Sequence, residues 1–138
     1  MLVLMLLALS SLIALPAIDR GLKDRQARQT ALGLAAVARE LSGRARYEGM
    51  PQQLIINVMN KSYLASRDRE IQLPSDMKFG AIEGGETLEP NVHQFIFFPN
   101  GSNLGGRIDV ATEPSNIAYS IRLHPLTGKV EVSRGNRQ

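Results

Sequence analysis

The feature that most constrains this chain is its start. Met1 to Ile18 carry no charge and are interrupted only by Ser10, Ser11 and Pro16. Wound as a helix at about 1.5 Å per residue, such a stretch spans roughly 27 Å, close to the ~30 Å hydrocarbon core of a bilayer. The two serines can return their hydroxyls to backbone carbonyls. Pro16 frees one carbonyl near the far boundary, where water or a neighbouring group satisfies it. A cleaved signal peptide would show a basic n-region and small residues at the cut. Nothing basic precedes Leu2, and Leu15-Pro16-Ala17 is a poor cleavage site. A core helix buried on all sides is also a poor fit, because a domain of this size cannot cover one. The run therefore reads as a membrane anchor, with Leu2, Leu6, Leu9, Leu12, Ile13 and Pro16 on its membrane-facing or filament-facing helix.

Beyond Asp19-Arg20 the pattern becomes amphipathic rather than stopping. Ala27, Ala31, Leu34, Ala38, Leu41 and Ala45 alternate spacings of four and three, which puts them on one stripe of a helix. Because the stripe is mostly alanine, the helix can lie close to a sheet, with Ala31, Leu34, Ala38 and Leu41 as packing residues. Gly49 and Pro51 end it, while Gly21 and Gly33 weaken it locally. Charge follows the same division. From Asp19 to Glu48 seven Arg/Lys outnumber four Asp/Glu, whereas from Gly49 to Gln138 nine of each cancel. Such scattered charge reads mainly as a solvated face, next to a membrane where acidic lipid or an acidic partner could meet it.

From Gln52 the periodicity shifts toward two. Leu54–Met59 and Ser62–Ala65 flank Asn60-Lys61 and read as a hairpin. Further strands are expected at Met77–Ile82, Gln94–Phe98, Arg107–Ala111, Ala118–Leu123 and Lys129–Ser133. Turn chemistry separates them at Leu73-Pro74-Ser75-Asp76, Gly84-Gly85, Pro99-Asn100-Gly101-Ser102, Gly105-Gly106 and Pro125-Leu126-Thr127-Gly128. Alternation in Ile108/Val110, Tyr119/Ile121/Leu123 and Val130/Val132 marks sheets with one wet face. The expected class is α+β. A long N-terminal helix, transmembrane over 1–18 and amphipathic over 19–48, packs on an antiparallel sheet or small two-sheet sandwich formed by 49–138.

Catalytic chemistry is missing from this pattern. The chain has no cysteine and two histidines, His93 and His124, and neither has an acidic neighbour at ligand spacing in the sequence. The glycine pairs lack phosphate-loop spacing and read as turns. Asn60-Lys61-Ser62 and Asn100-Gly101-Ser102 match the glycosylation triplet but fall in turns. Glu83, Glu86 and Glu89 read as a solvated connection rather than a cation loop. No enzyme, cofactor or metal site is expected.

The anchor with its continuous helix resembles the type IV pilin-like proteins. Phe97-Phe98-Pro99-Asn100-Gly101-Ser102, Gly105-Gly106-Arg107-Ile108, Tyr119-Ser120-Ile121-Arg122-Leu123 and Leu126-Thr127-Gly128-Lys129-Val130 resemble the minor pseudopilin H group of the type II secretion system. That group shares its domain family with the pilus protein FimT. The resemblance implies a pilin-like fold in the bacterial inner membrane, single-pass, with the C-terminal domain in the periplasm. It implies a non-enzymatic subunit of a pseudopilus that takes part in protein export across the outer membrane. The implied partners are other major and minor pseudopilins, the inner-membrane assembly platform, membrane lipid and secreted substrates. A FimT-like alternative is a minor pilin binding DNA for uptake, through Arg134 and Arg137 in the tail Ser133-Arg134-Gly135-Asn136-Arg137-Gln138. Against it, no aromatic in the tail could stack on bases.

Family members begin with a basic leader, a processing and methylation site, and a Gly-Phe-Thr-Leu-Ile-Glu-like segment before the apolar run. Met1 here lies inside that run. The expectation is that the codons directly upstream encode such a segment in frame. Reading the genomic sequence checks this, and a stop codon at that place would refute it.

Overall fold

The structure is a computed structural model that describes residues 2–65, 69–113 and 117–135, with side chains from residue 21 onward. One helix, α1, runs unbroken over Leu2–Glu48, about 70 Å at the usual rise. Alanine and leucine dominate it, and both lose little freedom on becoming helical. Thr30 in its interior turns its hydroxyl back onto the Gln26 carbonyl at 2.9 Å. The helix ends as the Gly49 N–H bonds the Ala45 carbonyl at 3.0 Å.

Nine strands follow. In chain order they are β1 Gln52–Asn57, β2 Ser62–Ala65, β3 Arg69–Gln72, β4 Met77–Gly84, β5 Glu86–Glu89, β6 Val92–Phe97, β7 Gly106–Thr112, β8 Ala118–Leu123 and β9 Val130–Arg134. They make two sheets, one ordered β3-β2-β1-β6-β5 and the other β4-β7-β8-β9, with every pairing antiparallel. Of the two arrangements left open by the sequence, the molecule adopts two sheets.

Differences from the sequence expectation have local causes. The strands β3 and β5 were absent from it. Both are sheet edges in which no residue is buried, with burial patterns too wet to alternate. The β1–β2 connection is not a two-residue turn. Asn57 faces Ser62, leaving four residues in the loop. The Asn57 side chain accepts the Asn60 N–H at 3.0 Å, and Lys61 sits at φ 53°. In β4 the register slips by one between Phe79 and Ile82, a bulge that the sequence pattern does not announce.

Residues of the helical stripe form one side of the core. Ala27, Ala31, Leu34, Ala38, Leu41 and Ala45 are all buried, and Ala35 and Val37 widen the stripe. They pack on β1 and β6 of one sheet and on β7, β8 and β9 of the other. Opposite them stand Leu54, Ile56, Phe95 and Phe97 from the first sheet and Ile108, Val110, Ile121 and Leu123 from the second. Short alanine side chains bring the helix axis close, and the larger residues come from the strands.

At the place where the two sheets adjoin, side chains are excluded. Gly106 opens β7 opposite Gly84. Its φ is 140°, and a Cβ there would run into the Glu83 carbonyl and lie 2.9 Å from the buried Phe95 ring. Gly106→Ala is expected to destabilise the fold by about 2–4 kcal/mol through backbone strain and overpacking. Urea unfolding of the variant beside the parent chain measures it.

Candidate assembly surface

Among the described residues, no group of His, Cys, Asp or Glu is arranged to hold a metal ion. His124 is less isolated than its sequence position implies. The β8–β9 turn folds Glu131 back onto it, with Nε2 and Oε2 3.1 Å apart. The sequence shows no acidic neighbour at ligand spacing, and this contact exists only through the fold. Glu131 also meets Lys129 at 3.0 Å. The Lys129 ammonium first, and His124 second, hold this carboxyl below its ordinary range. Such an exposed three-residue cluster is a turn-stabilising feature. Glu83 pairs with Arg107 at 3.2 Å, while Glu86 and Glu89 lie exposed on the edge strand β5.

What the fold does build is a helix fixed to its domain along one face and open along the other. Two fastenings hold it. Near the start of the packed half, the Tyr119 hydroxyl of β8 donates to Asp24 Oδ1 at 2.9 Å, and Arg134 of β9 approaches the same oxygen at 3.6 Å. One turn beyond the middle, Arg39 Nη2 donates to the Val130 carbonyl at 2.8 Å, satisfying an acceptor of the edge strand β9.

At the far end the Arg46 guanidinium occupies the space that a side chain on Gly101 would need, with Nε 2.9 Å from that point. Gly128 closes the same corner, since a Cβ there would meet the Gly101 carbonyl. The loop supplying Gly101 is knit by its asparagines. Asn100 Oδ1 accepts the Ser102 hydroxyl at 2.6 Å, and Asn103 Oδ1 accepts the buried Gly105 N–H at 2.7 Å. Asn103 also donates from Nδ2 to the His124 carbonyl at 3.1 Å, tying the loop to the β8–β9 turn. The Phe-Pro-Asn-Gly-Ser and Leu-Thr-Gly-Lys segments, far apart in sequence, thus meet on one helix residue.

The opposite face of the helix is unpacked. Leu22 and Leu32 are 57% and 38% exposed, and Tyr47 is 93% exposed. Gly21, Gly33 and Gly43 have nothing within 4 Å of where a side chain would begin. A glycine inside a helix costs about 1 kcal/mol relative to alanine. Packing within this chain gives no return for three of them. Charge on this half is sorted along its length. Glu40 meets Arg44 at 3.9 Å and Arg69 at 2.9 Å, while Arg25 and Arg28 make no ion pair among the described residues.

For the residues named from sequence, Ala31, Leu34, Ala38 and Leu41 lie in the core. The side chains of Leu2, Leu6, Leu9, Leu12, Ile13 and Pro16 lie outside the described residues, although their backbone belongs to α1. Among the residues whose side chains are described, from 21 onward, no helix is long and apolar enough to cross a membrane. Arg134 is engaged by Asp24, and Arg137 lies outside the described residues. The fastenings at Asp24 and Arg39, and the place of Arg46, were not legible in sequence, because the partners of the first two stand 95 and 91 positions away and those of Arg46 lie in two separate loops.

Burial first, and then the bond to Asp24, push the Tyr119 hydroxyl above its ordinary value near 10. A raised native value means that the unfolded chain loses this proton first. The contribution is complete below pH about 10 and is lost as pH rises through the native value. Tyr119→Phe is expected to cost about 1 kcal/mol at neutral pH. It is also expected to flatten the fall of stability above pH about 10, which unfolding curves measured from pH 8 to 11 will read out.

No protein-family model matches the chain, and no curated protein matches it in sequence. Among solved structures its fold is similar to that of the minor pseudopilin EpsH from the type 2 secretion system of Vibrio cholerae. The TM-score is 0.62 over 79% of this chain and 97% of that chain, at 12% sequence identity. At that identity the likeness is one of fold, and the fold is pilin-like: a long N-terminal helix on two antiparallel sheets.

Proposed function

We propose that this chain is a minor pseudopilin, a structural subunit of a type II secretion pseudopilus taking part in protein export across the outer membrane. The observation that carries the reading is a single continuous helix, Leu2–Glu48, fixed to the domain on one face only, within a fold similar to that of a minor pseudopilin. The domains follow from it. Residues 1–18 form the transmembrane half of the helix, 19–48 the amphipathic half, and 49–138 the periplasmic β domain, in a single-pass inner-membrane protein.

Mechanically, an uncharged helix can leave lipid for a filament core at little cost, since both surroundings suit the same apolar surface. The outward glycines of the second half allow a neighbouring helix to approach. Arg25 and Arg28, which make no ion pair among the described residues, meet acidic lipid headgroups or acidic neighbours and so help to set register. The two fastenings keep the domain from turning on the helix, so that a pull on the helix moves the β domain with it. Other major and minor pseudopilins and the inner-membrane platform are the partners; no cofactor takes part.

Because the chain has no cysteine, single cysteines report contacts without background. Leu22→Cys and Leu32→Cys, expressed in cells with an intact secretion platform, are expected to crosslink to cysteine-bearing pilin-like subunits. Ala31→Cys, on the buried face, is expected not to. A chain recovered wholly in the soluble fraction, or equal labelling at all three positions, would overturn the assignment.

A further inference from the structure

The outward face of the four-stranded sheet, remote from the helix, forms a trough of about 670 Å³. Alternation along the strands creates it. Ile108, Val110, Tyr119, Ile121 and Val130 point into the core, so the intervening residues point out. Its floor is made of small residues, Gly80, Ala111, Ala118, Ser120, Ser133 and Gly135. The β4 bulge keeps that floor tight, with a Cβ on Gly80 falling 3.2 Å from Asp109 Cβ.

The walls are cationic and incompletely neutralised. Lys78, Arg107 and Arg122 face Asp109 and Glu131, three positive groups against two negative, while Arg134 at the rim is already engaged by Asp24 of the helix. Arg107 meets Glu83 at 3.2 Å and Asp109 at 3.3 Å. The second approach is a charge contact only, since the shielded Arg107 Nε makes no hydrogen bond. Glu131 stands opposite Arg122 in the ladder, yet its carboxylate is taken by Lys129 and His124. Lys78 and Arg122 consequently make no ion pair among the described residues. Arg122 also faces Arg107 directly across the strands. Like charges so placed destabilise a sheet unless an anion lies between them.

We infer that this trough binds an extended acidic peptide segment of a partner protein, its carboxylates drawn to Lys78, Arg107 and Arg122 over a floor low enough for a backbone to lie on. A nucleic acid fits less well. Phe79, the aromatic at the wall, is 5% exposed and offers no face on which a base could stack. The inference does not depend on the assembly reading above, because the trough lies on the sheet face away from the helix.

The test is fluorescence anisotropy of a labelled octapeptide of alternating Glu and Ser with the full chain in neutral detergent. Saturable binding that weakens with added salt is expected. Lys78→Gln and Arg122→Gln are each expected to weaken it about three- to ten-fold, while Lys61→Gln leaves it unchanged. In the parent chain, the amide signals of Ser120 and Ser133 are expected to shift with peptide, independently of any variant. The inference is overturned by absence of saturable binding, by equal binding of a Lys-Ser octapeptide, or by indifference to both variants. Tighter, variant-sensitive binding of a short DNA duplex would also overturn it and assign the trough to nucleic acid.

Discussion

The packing of an alanine-rich helical stripe against two sheets at once is the constraint on which the rest of this molecule depends. Ala27, Ala31, Ala35, Ala38 and Ala45 are fully or almost fully buried, with Leu34 and Leu41 between them. Small side chains let the helix touch β1 and β6 on one side and β7, β8 and β9 on the other. Larger residues on the stripe would hold the helix off and open voids beside Phe95, Phe97 and Ile121. The bulky half of the core therefore has to come from the strands, and it does.

Polar contacts then decide how the helix sits, in addition to how closely. The Asp24–Tyr119 bond and the Arg39–Val130 bond act at separate points along the packed stretch, and Arg46 wedges into the corner made by Gly101 and Gly128. Apolar contact along a smooth alanine stripe resists sliding only weakly, because one small residue resembles the next. Directional bonds at separated points remove that freedom. A subunit moved by its helix needs such a connection, and the same bonds leave the other face of the helix uncommitted.

The loop from Phe98 to Gly105 shows how a short sequence signature becomes architecture. Its asparagines satisfy backbone donors inside the loop, so that Gly101, Asn103 and Gly105 can be buried without loss of hydrogen bonding. Phe97 bridges to Asn103, and the Asn103 N–H bonds the Pro125 carbonyl at 3.1 Å. One loop thereby joins the end of β6 to the β8–β9 turn and fixes the two sheets to each other.

From its sequence alone the chain declares one long helix with an apolar half and an alanine stripe, a β-rich remainder, and the turns at Gly49, Gly84-Gly85 and Gly105-Gly106. Each of these follows from local periodicity or backbone preference, which neighbouring residues suffice to express. The edge strands β3 and β5 escaped that reading because an exposed edge has no buried face to impose alternation. Tertiary structure alone decided that there are two sheets. It also placed Arg46 against Gly101, tied Asp24 to Tyr119, and turned Glu131 toward Lys129 and His124, leaving Arg122 without an ion pair among the described residues. The physical reason is the range of the interaction. A helix or turn is determined within a few residues, whereas a contact between residues 24 and 119 exists only once the whole chain has chosen its strand order.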